Sequence, residues 1–267
     1  MVSEIISIAK SAGSILMKYH SKELEIKTKL NKFDFVTQAD IESDEYIRKK
    51  LNELFPNDLI LSEESNNIPT NFTGNVWMVD PLDGTKEFIN GGSGFSVLIG
   101  LCINGIPTLG VVYVPARNIL YYAEKGKGSF MEFENKISKL NVNNISKINQ
   151  SKIVTRQNRG EKRDMDQLVD SLLTIEQILE SSGGVKLGLI TEKKAEIHIN
   201  THFGVSKWDT CAPQIILEEA GGKITDFEGK ELDYKQKSLN WEKSYVATNS
   251  IIHDEVIEHI KDYLNNN

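Results

Sequence analysis

The residues of this chain best equipped for chemistry are Asp80-Pro81-Leu82-Asp83-Gly84-Thr85, directly after the apolar run Val76 to Val79. Pro81 stiffens the turn, and Gly84 lets a ligand approach the backbone closely. The two carboxylates, the Leu82 carbonyl and the Thr85 hydroxyl can converge on one small volume. That is a hard, all-oxygen set of the kind Mg²⁺ takes, at roughly 2.0–2.1 Å in near-octahedral geometry. Two aspartates brought together without a counter-charge would drive one pKa upward, and a cation relieves the repulsion. Asp, Pro and Gly also build ordinary turns, so the segment alone reads either way. Further acids weigh toward a site. Glu63 and Glu64 follow the apolar run Leu59-Ile60-Leu61, although Glu64 reads more readily as a surface acid. Asp40, in Thr37-Gln38-Ala39-Asp40, fits a capping box, a role compatible with catalysis. Asp209, in Lys207-Trp208-Asp209-Thr210, stands where a helix begins and by itself reads as an N-cap.

Other chemistries lack their residues. None of the five histidines forms HExxH or pairs with cysteine at zinc spacing. There is no G-x-S-x-G elbow and no Walker loop. Gly91-Gly92-Ser93-Gly94 precedes a strand pattern and reads as a flexible loop, not a phosphate cradle. The main rival is an aspartyl-phosphate phosphatase, whose strand ends in Asp-x-Asp-Gly-Thr. Asp83-Gly84-Thr85 matches it, but position 81 is proline, and Asp80 is out of register as a nucleophile.

Mixed α and β elements must position these groups. Ile5, Ile8, Ala12, Ile15, Leu16 and Tyr19 share one helical face, and Ile47, Leu51, Leu54 and Phe55 mark a second helix that stops before Pro56. Val76 to Val79, Phe95 to Ile103, Pro107 to Val114 and Ile119 to Tyr122 read as a strand meander. The polar stretch Asn141 to Gln150 marks passage into a second lobe, giving an N-terminal α+β lobe over residues 1–140 and a C-terminal α/β lobe over 141–267. There the strand-like runs Ile153 to Thr155 and Ile197 to Ile199 alternate with helical patterns. These are Met165, Leu168, Val169 and Leu172, then Asp209 to about Ala220 ending at Gly221-Gly222, then Val256, Ile260, Tyr263 and Leu264. The expected fold is two layered lobes of mixed α and β structure.

A formal net charge of -7 without a Lys/Arg block argues against a nucleic acid polymer as partner. Cys102 and Cys211 form no C-x-x-C pair, which suits a reducing, cytoplasmic compartment. Glu4 and Lys10 interrupt the first apolar residues, so no signal peptide is expected, and no run suits a membrane span.

Asp40, Ser62-Glu63-Glu64-Ser65, Asp80-Pro81-Leu82-Asp83-Gly84-Thr85 and Trp208-Asp209 occur in an order that resembles the lithium-sensitive, magnesium-dependent phosphatases, the superfamily of the inositol monophosphatases and fructose bisphosphatases. Thr85-Lys86-Glu87-Phe88, Lys207 to Pro213 and Ala220 to Asp226 are most similar to the 3′(2′),5′-bisphosphate nucleotidases within it. The likeness runs from about Asp34 to Thr248 and weakens from Glu134 to Asn149. It implies a two-lobed αβαβα layered sandwich with two or three Mg²⁺ between the lobes. Glu63, Asp80, Asp83, Asp209 and the Leu82 carbonyl would be metal ligands, while Asp40 and Thr85 would orient and deprotonate the attacking water. Gly84, Thr155, Asn158, Ser182, Gly183, Lys186 and Asp209 would bind the substrate. Asn158 replaces a histidine common in that family; it still donates hydrogen bonds but carries no charge. Lys186 also reads as a solvated helix charge. The implied reaction converts adenosine 3′(2′),5′-bisphosphate, a small nucleotide partner, to AMP and phosphate, in a monomer or homodimer within sulfur metabolism. The alternatives are an inositol monophosphatase, an inositol polyphosphate 1-phosphatase, or a non-catalytic metal- or nucleotide-binding regulator.

Overall fold

The computed structural model describes residues 1–20, 26–28, 35–65, 72–156, 164–200 and 205–266. Helix α1 (Val2–Tyr19) is followed by a short antiparallel ribbon of β1 (Ile26–Thr28) and β2 (Phe35–Thr37), which runs directly into α2 (Gln38–Leu54). A seven-stranded sheet comes next, in chain order: β3 (Leu59–Ser62), β4 (Asn75–Asp83), β5 (Ser96–Ile103), β6 (Ile106–Val114), β7 (Ile119–Glu124), β8 (Gly128–Phe133) and β9 (Lys136–Leu140). The short α3 (Thr85–Ile89) bridges β4 and β5. Beyond it lie β10 (Lys152–Thr155), α4 (Asp164–Ser171), β11 (Glu176–Leu179), α5 (Gly183–Thr191), β12 (Ile197–Ile199), α6 (Lys207–Glu219), β13 (Lys223–Asp226), β14 (Tyr245–Thr248) and α7 (His253–Asn266). Their five strands form a second sheet in the order β11-β10-β12-β14-β13.

The layers follow from which faces are apolar. Successive side chains of a strand point to opposite faces. In β4, Trp77 and Val79 enter a core with α1 and α2, whereas Val76 and Met78 enter a core with α5 and α6. In β5, Val97, Ile99 and Leu101 face the first core and Leu98 and Cys102 the second. Both faces are covered, which is why these strands read as continuous apolar runs. A third core packs Leu168 and Val169 of α4, Leu172 just after it, and Val256, Ile257 and Ile260 of α7 on the outside of the five-stranded sheet. The order helices, sheet, helices, sheet, helices is the expected αβαβα sandwich. The middle core draws on chain from both sides of Leu140.

Two glycines set how closely α6 lies on the first sheet. A Cβ at Gly100 would fall 2.7 Å from Cys211 Sγ, and one at Gly110 would fall 2.4 Å from the Ala212 carbonyl oxygen. Only glycine allows that approach. Among the described residues no helix is long and apolar enough to cross a membrane. The four meander strands match expectation, except that β4 continues through Asp83 where the run was read as ending at Val79. Backbone pairing with β5 carries it on, with a shift of register between Asp80 and Asp83. Residues 91–95 form a loop, as the glycines suggested. Unforeseen were β1, β2, α3, β8, the edge strand β9, β11, α5, β13 and β14.

Candidate active site

The site forms where β3 and β4 end against the first turns of α2, α5 and α6. Asp80 is buried, and its Oδ1 accepts the Leu82 N–H at 2.9 Å, which shapes the turn around Pro81. Gly84 then takes a left-handed φ of 91°, open to glycine at no steric penalty. A Cβ there would also press on the Gly94 carbonyl oxygen at 3.2 Å. The Thr85 hydroxyl donates to the Leu82 carbonyl at 3.2 Å. Glu63 directly follows β3, and its N–H bonds the Val79 carbonyl at 3.1 Å, so it stands beside the exit of β4. A pin that sequence did not disclose holds this strand end. The buried Asp44 of α2 accepts the Ser62 hydroxyl and the Arg48 guanidinium, the latter at 2.6 Å.

The two helix-start aspartates do the same structural work. Asp40 Oδ2 accepts the Thr37 N–H at 2.8 Å and the Thr37 hydroxyl at 2.5 Å. Asp209 Oδ2 accepts the Ser206 N–H at 2.7 Å. Asp209 is therefore the third residue of its helix reaching back to the cap, and Ser206 is the N-cap itself. The N-cap reading of Asp209 is corrected accordingly. Lys207 fixes this turn from beneath. It is fully buried, its ammonium donates to the Tyr234 carbonyl at 3.0 Å and to the Gln236 carbonyl, and it lies 3.7 Å over the Phe72 ring. Ser43, on the same face of α2 as Asp40, donates to the Pro81 carbonyl at 3.2 Å, tying that helix start to the Asp80 turn.

Glu63, Asp80, Asp83 and Asp209 share one electrostatic neighbourhood. Burial pushes the Asp80 carboxyl well above its ordinary pKa, and the charges of Glu63, Asp83 and Asp209 push it further. Asp209 is raised in the same way, first by burial, then by Glu63 and Asp83. At Asp209 the Ser206 N–H and the neighbouring Asp80 carboxyl oppose the rise. Asp83 is also raised by burial, but the Ser182 hydroxyl, the Gly184 N–H and the charge of Lys186 oppose the rise. Among the described residues no three acidic, histidine or cysteine side chains are already closed around a point that would hold an ion. The donor chemistry nevertheless fits a hard divalent cation. The converging groups are oxygens, with Asp80 buried and Glu63, Asp83 and Asp209 half-buried, and a cation would relieve their mutual repulsion.

The expected substrate-binding positions divide. Lys186, on α5, is only 8% exposed, and its ammonium makes no hydrogen bond to any described residue. It faces the charges of Asp83, Arg156, Glu180 and Asp209, and burial lowers its pKa. A solvated helix charge is thereby excluded. Gly183 opens α5 between the others: a Cβ there would lie 3.7 Å from Asp83 Oδ2 and 3.8 Å from the Asp209 carbonyl oxygen. Thr155 closes β10 next to Arg156, half-buried. Asn158 lies outside the described residues. Ser182 does not fit the role expected of it. Its hydroxyl is fully buried, donates to Asp83 Oδ2 at 2.6 Å, accepts the Val185 N–H at 3.2 Å and meets Ser96 Oγ at 2.7 Å. One proton and two lone pairs are then all engaged, leaving nothing for a substrate.

The five-layer sandwich gathers carboxylates at the ends of its strands and helices, and likeness to known proteins says which class it belongs to. The chain belongs to the inositol monophosphatase family, whose pattern it matches over residues 1–265. It is a phosphatase of that superfamily, whose members are metal-dependent. It is 30% identical to the 3′(2′),5′-bisphosphate nucleotidase CysQ of Aggregatibacter actinomycetemcomitans over 94% of this chain and 92% of that one. It is also 30% identical to the inositol-1-monophosphatase of Bacillus subtilis, over 96% of each chain. Among solved structures, the IMPase of Thermotoga maritima superposes with a TM-score of 0.84 at 25% identity, covering 98% of this chain and 97% of that one.

Proposed function

We propose that this protein is a Mg²⁺-dependent 3′(2′),5′-bisphosphate nucleotidase that converts adenosine 3′(2′),5′-bisphosphate to AMP and phosphate. The observation that carries the reading is Lys186, a buried ammonium that no described residue hydrogen-bonds, set beside Asp83 and Asp209. A cation held out of water without a partner is costly unless a ligand anion completes it. A substrate with a second phosphate supplies that anion, and an inositol monophosphate does not. The similarity to nucleotidases supports the same choice, while the equal identity to an inositol-1-monophosphatase keeps that activity as the comparator.

Glu63, Asp80, Asp83, Asp209 and the Leu82 carbonyl would hold two or three Mg²⁺. The Leu82 oxygen has a second lone pair beyond the one taken by Thr85. When bound, the ions neutralise charge on the phosphoryl oxygens and acidify a water, the dominant needs of phosphoryl transfer. The remaining roles belong to the chain itself. The Thr85 proton points at Leu82, so its oxygen is left to accept from a water. Asp40, fixed at the start of α2, orients that water and takes its proton. Lys186, with Arg156 nearby, holds the phosphate that is not cleaved, and Gly183 lets the substrate lie close to α5. The water's oxygen bonds to phosphorus as the bond from phosphorus to the ribose oxygen breaks, the ribose oxygen takes up a proton from solvent water, and no side chain is phosphorylated. The buried thiols of Cys102 and Cys211, both with raised pKa, suit a reducing cytoplasm.

A phosphate-release panel tests this. With Mg²⁺ present, adenosine 3′,5′-bisphosphate should be hydrolysed with a kcat/KM at least about tenfold above that of inositol 1-phosphate, a difference of 1.4 kcal/mol in transition-state stabilisation. Chelation should abolish both. A preference for inositol 1-phosphate would overturn the substrate, and release indifferent to chelation would overturn the metal. Calorimetric binding of the bisphosphate without any phosphate release would favour the non-catalytic regulator.

A further inference from the structure

We infer that Ser182 is a positioning residue that sets the geometry of Asp83 across the junction of the two sheets, and through Asp83 the affinity of the site for divalent cations. The inference rests on the metal reading above. An N-cap serine is ordinarily explained by the helix alone: its oxygen accepts an N–H of the first turn, as Ser182 does from Val185 at 3.2 Å. Here the same hydroxyl does something the helix does not require. A carboxylate offers no proton, so the 2.6 Å contact to Asp83 Oδ2 is a bond donated by Ser182. That uses its single proton, so Ser96 is the donor in the 2.7 Å contact between the two hydroxyls.

The Gly184 N–H donates to the same Asp83 oxygen at 3.1 Å. Oδ2 is thus held by two donors from the first turn of α5, and Oδ1 accepts no hydrogen bond from the described residues. The carboxylate is oriented with one oxygen committed to protein and the other left for a ligand. The donors cannot drift. A Cβ on Gly184 would fall 2.7 Å from Leu98 Cδ2 and 2.8 Å from Val112 Cγ1, so the start of α5 is pressed onto β5 and β6. Ser96, which begins β5, clamps Ser182 from the other side. Groups that orient a ligating carboxylate in this manner contribute about 10–100-fold in metal affinity.

Mn²⁺ serves as a spectroscopic probe for the cation, its binding followed by electron paramagnetic resonance on the intact protein, alongside thermal melting and phosphate release. Ser182→Ala should weaken Mn²⁺ binding by about 10–100-fold. Ser182→Gly should do the same, although glycine caps a helix nearly as well as serine and so leaves the melting temperature close to wild type. Ser182→Thr keeps the hydroxyl and should restore affinity. Raising Mg²⁺ should return the alanine variant toward wild-type turnover, which a merely structural defect would not allow. Wild-type affinity in both the alanine and glycine variants would overturn the proposal. So would a loss of affinity that tracks melting and is not rescued by threonine. If the wild-type protein binds no Mn²⁺, the metal reading itself fails and this inference falls with it.

Discussion

The two sheets bring opposite charge into one neighbourhood. The seven-stranded sheet and its helices deliver Glu63, Asp80 and Asp83, and α6 adds Asp209; burial raises the pKa values of the three aspartates. The five-stranded sheet, with α5, delivers Lys186 and Arg156. The acidic side is repelled by itself and needs cations. The basic side centres on a buried ammonium that faces Asp83, Glu180 and Asp209, and under the proposed function it would meet the substrate's second phosphate. Under the proposed function, a metal-bound phosphate would serve both halves. The binding energy of such a site lies in charges that folding has already placed and desolvated.

The largest effect should come from the acidic side. Asp80→Asn or Asp83→Asn should lower kcat by roughly 10³-fold or more, the scale of losing a charge-stabilising group, while cooperative unfolding persists. Near-wild-type turnover by either purified variant would break the comparison at its root. Lys186→Met should come next. It should reduce kcat/KM for the bisphosphate by about 10–100-fold, leave inositol 1-phosphate hydrolysis little changed, and raise the melting temperature, because a buried ammonium that no described residue hydrogen-bonds is replaced by an apolar chain of similar shape. A lower melting temperature would mean the ammonium stabilises the apo fold, against the reading given.

A smaller, structural effect is expected at Gly110. Alanine there would push its Cβ into the Ala212 carbonyl oxygen at 2.4 Å, costing about 1–3 kcal/mol in chemical unfolding and displacing the helix that carries Asp209. The smallest concerns His198, buried below the site with its Nδ1 on the Val154 carbonyl at 2.9 Å and its pKa lowered to about 3, first by burial and then by Lys186. The unfolded chain takes up that proton near pH 6.5 and the folded chain does not, so the unfolded state binds more protons between the two values. Stability is therefore lost as pH falls below 6.5. Between pH 7 and pH 5 the loss should be about 2 kcal/mol for this residue, and His198→Asn should flatten the urea-midpoint profile by that amount.

Much of the architecture was legible because apolar periodicity reports burial directly. The amphipathic stripes of α1 and α2 and the apolar runs of β4 to β7 stood in the sequence. Helix α5 did not, since residues 184–191 are all buried and a helix apolar on every side has no stripe to detect. Strand β9 was missed for the opposite reason: four of its five residues are exposed, and only pairing with β8 makes it a strand. The site shows the same split. Asp80 and Asp83 announced themselves by spacing, and Asp40 by its capping box. Nothing local marked Ser182 as the partner of Asp83, 99 residues away, or Asp44 as the pin under Glu63.

Sequence alone determined the chemical inventory: oxygen ligands on short turns, a glycine where φ must be positive, helix starts that hold an aspartate by one oxygen. These are local properties, set by bonds that reach only a few residues. The tertiary structure decided which carboxylates face one another, that Lys186 is withdrawn from water, and that Ser182 serves Asp83. Those outcomes depend on Coulomb and desolvation energies between groups that come close only when both sheets close on α5 and α6.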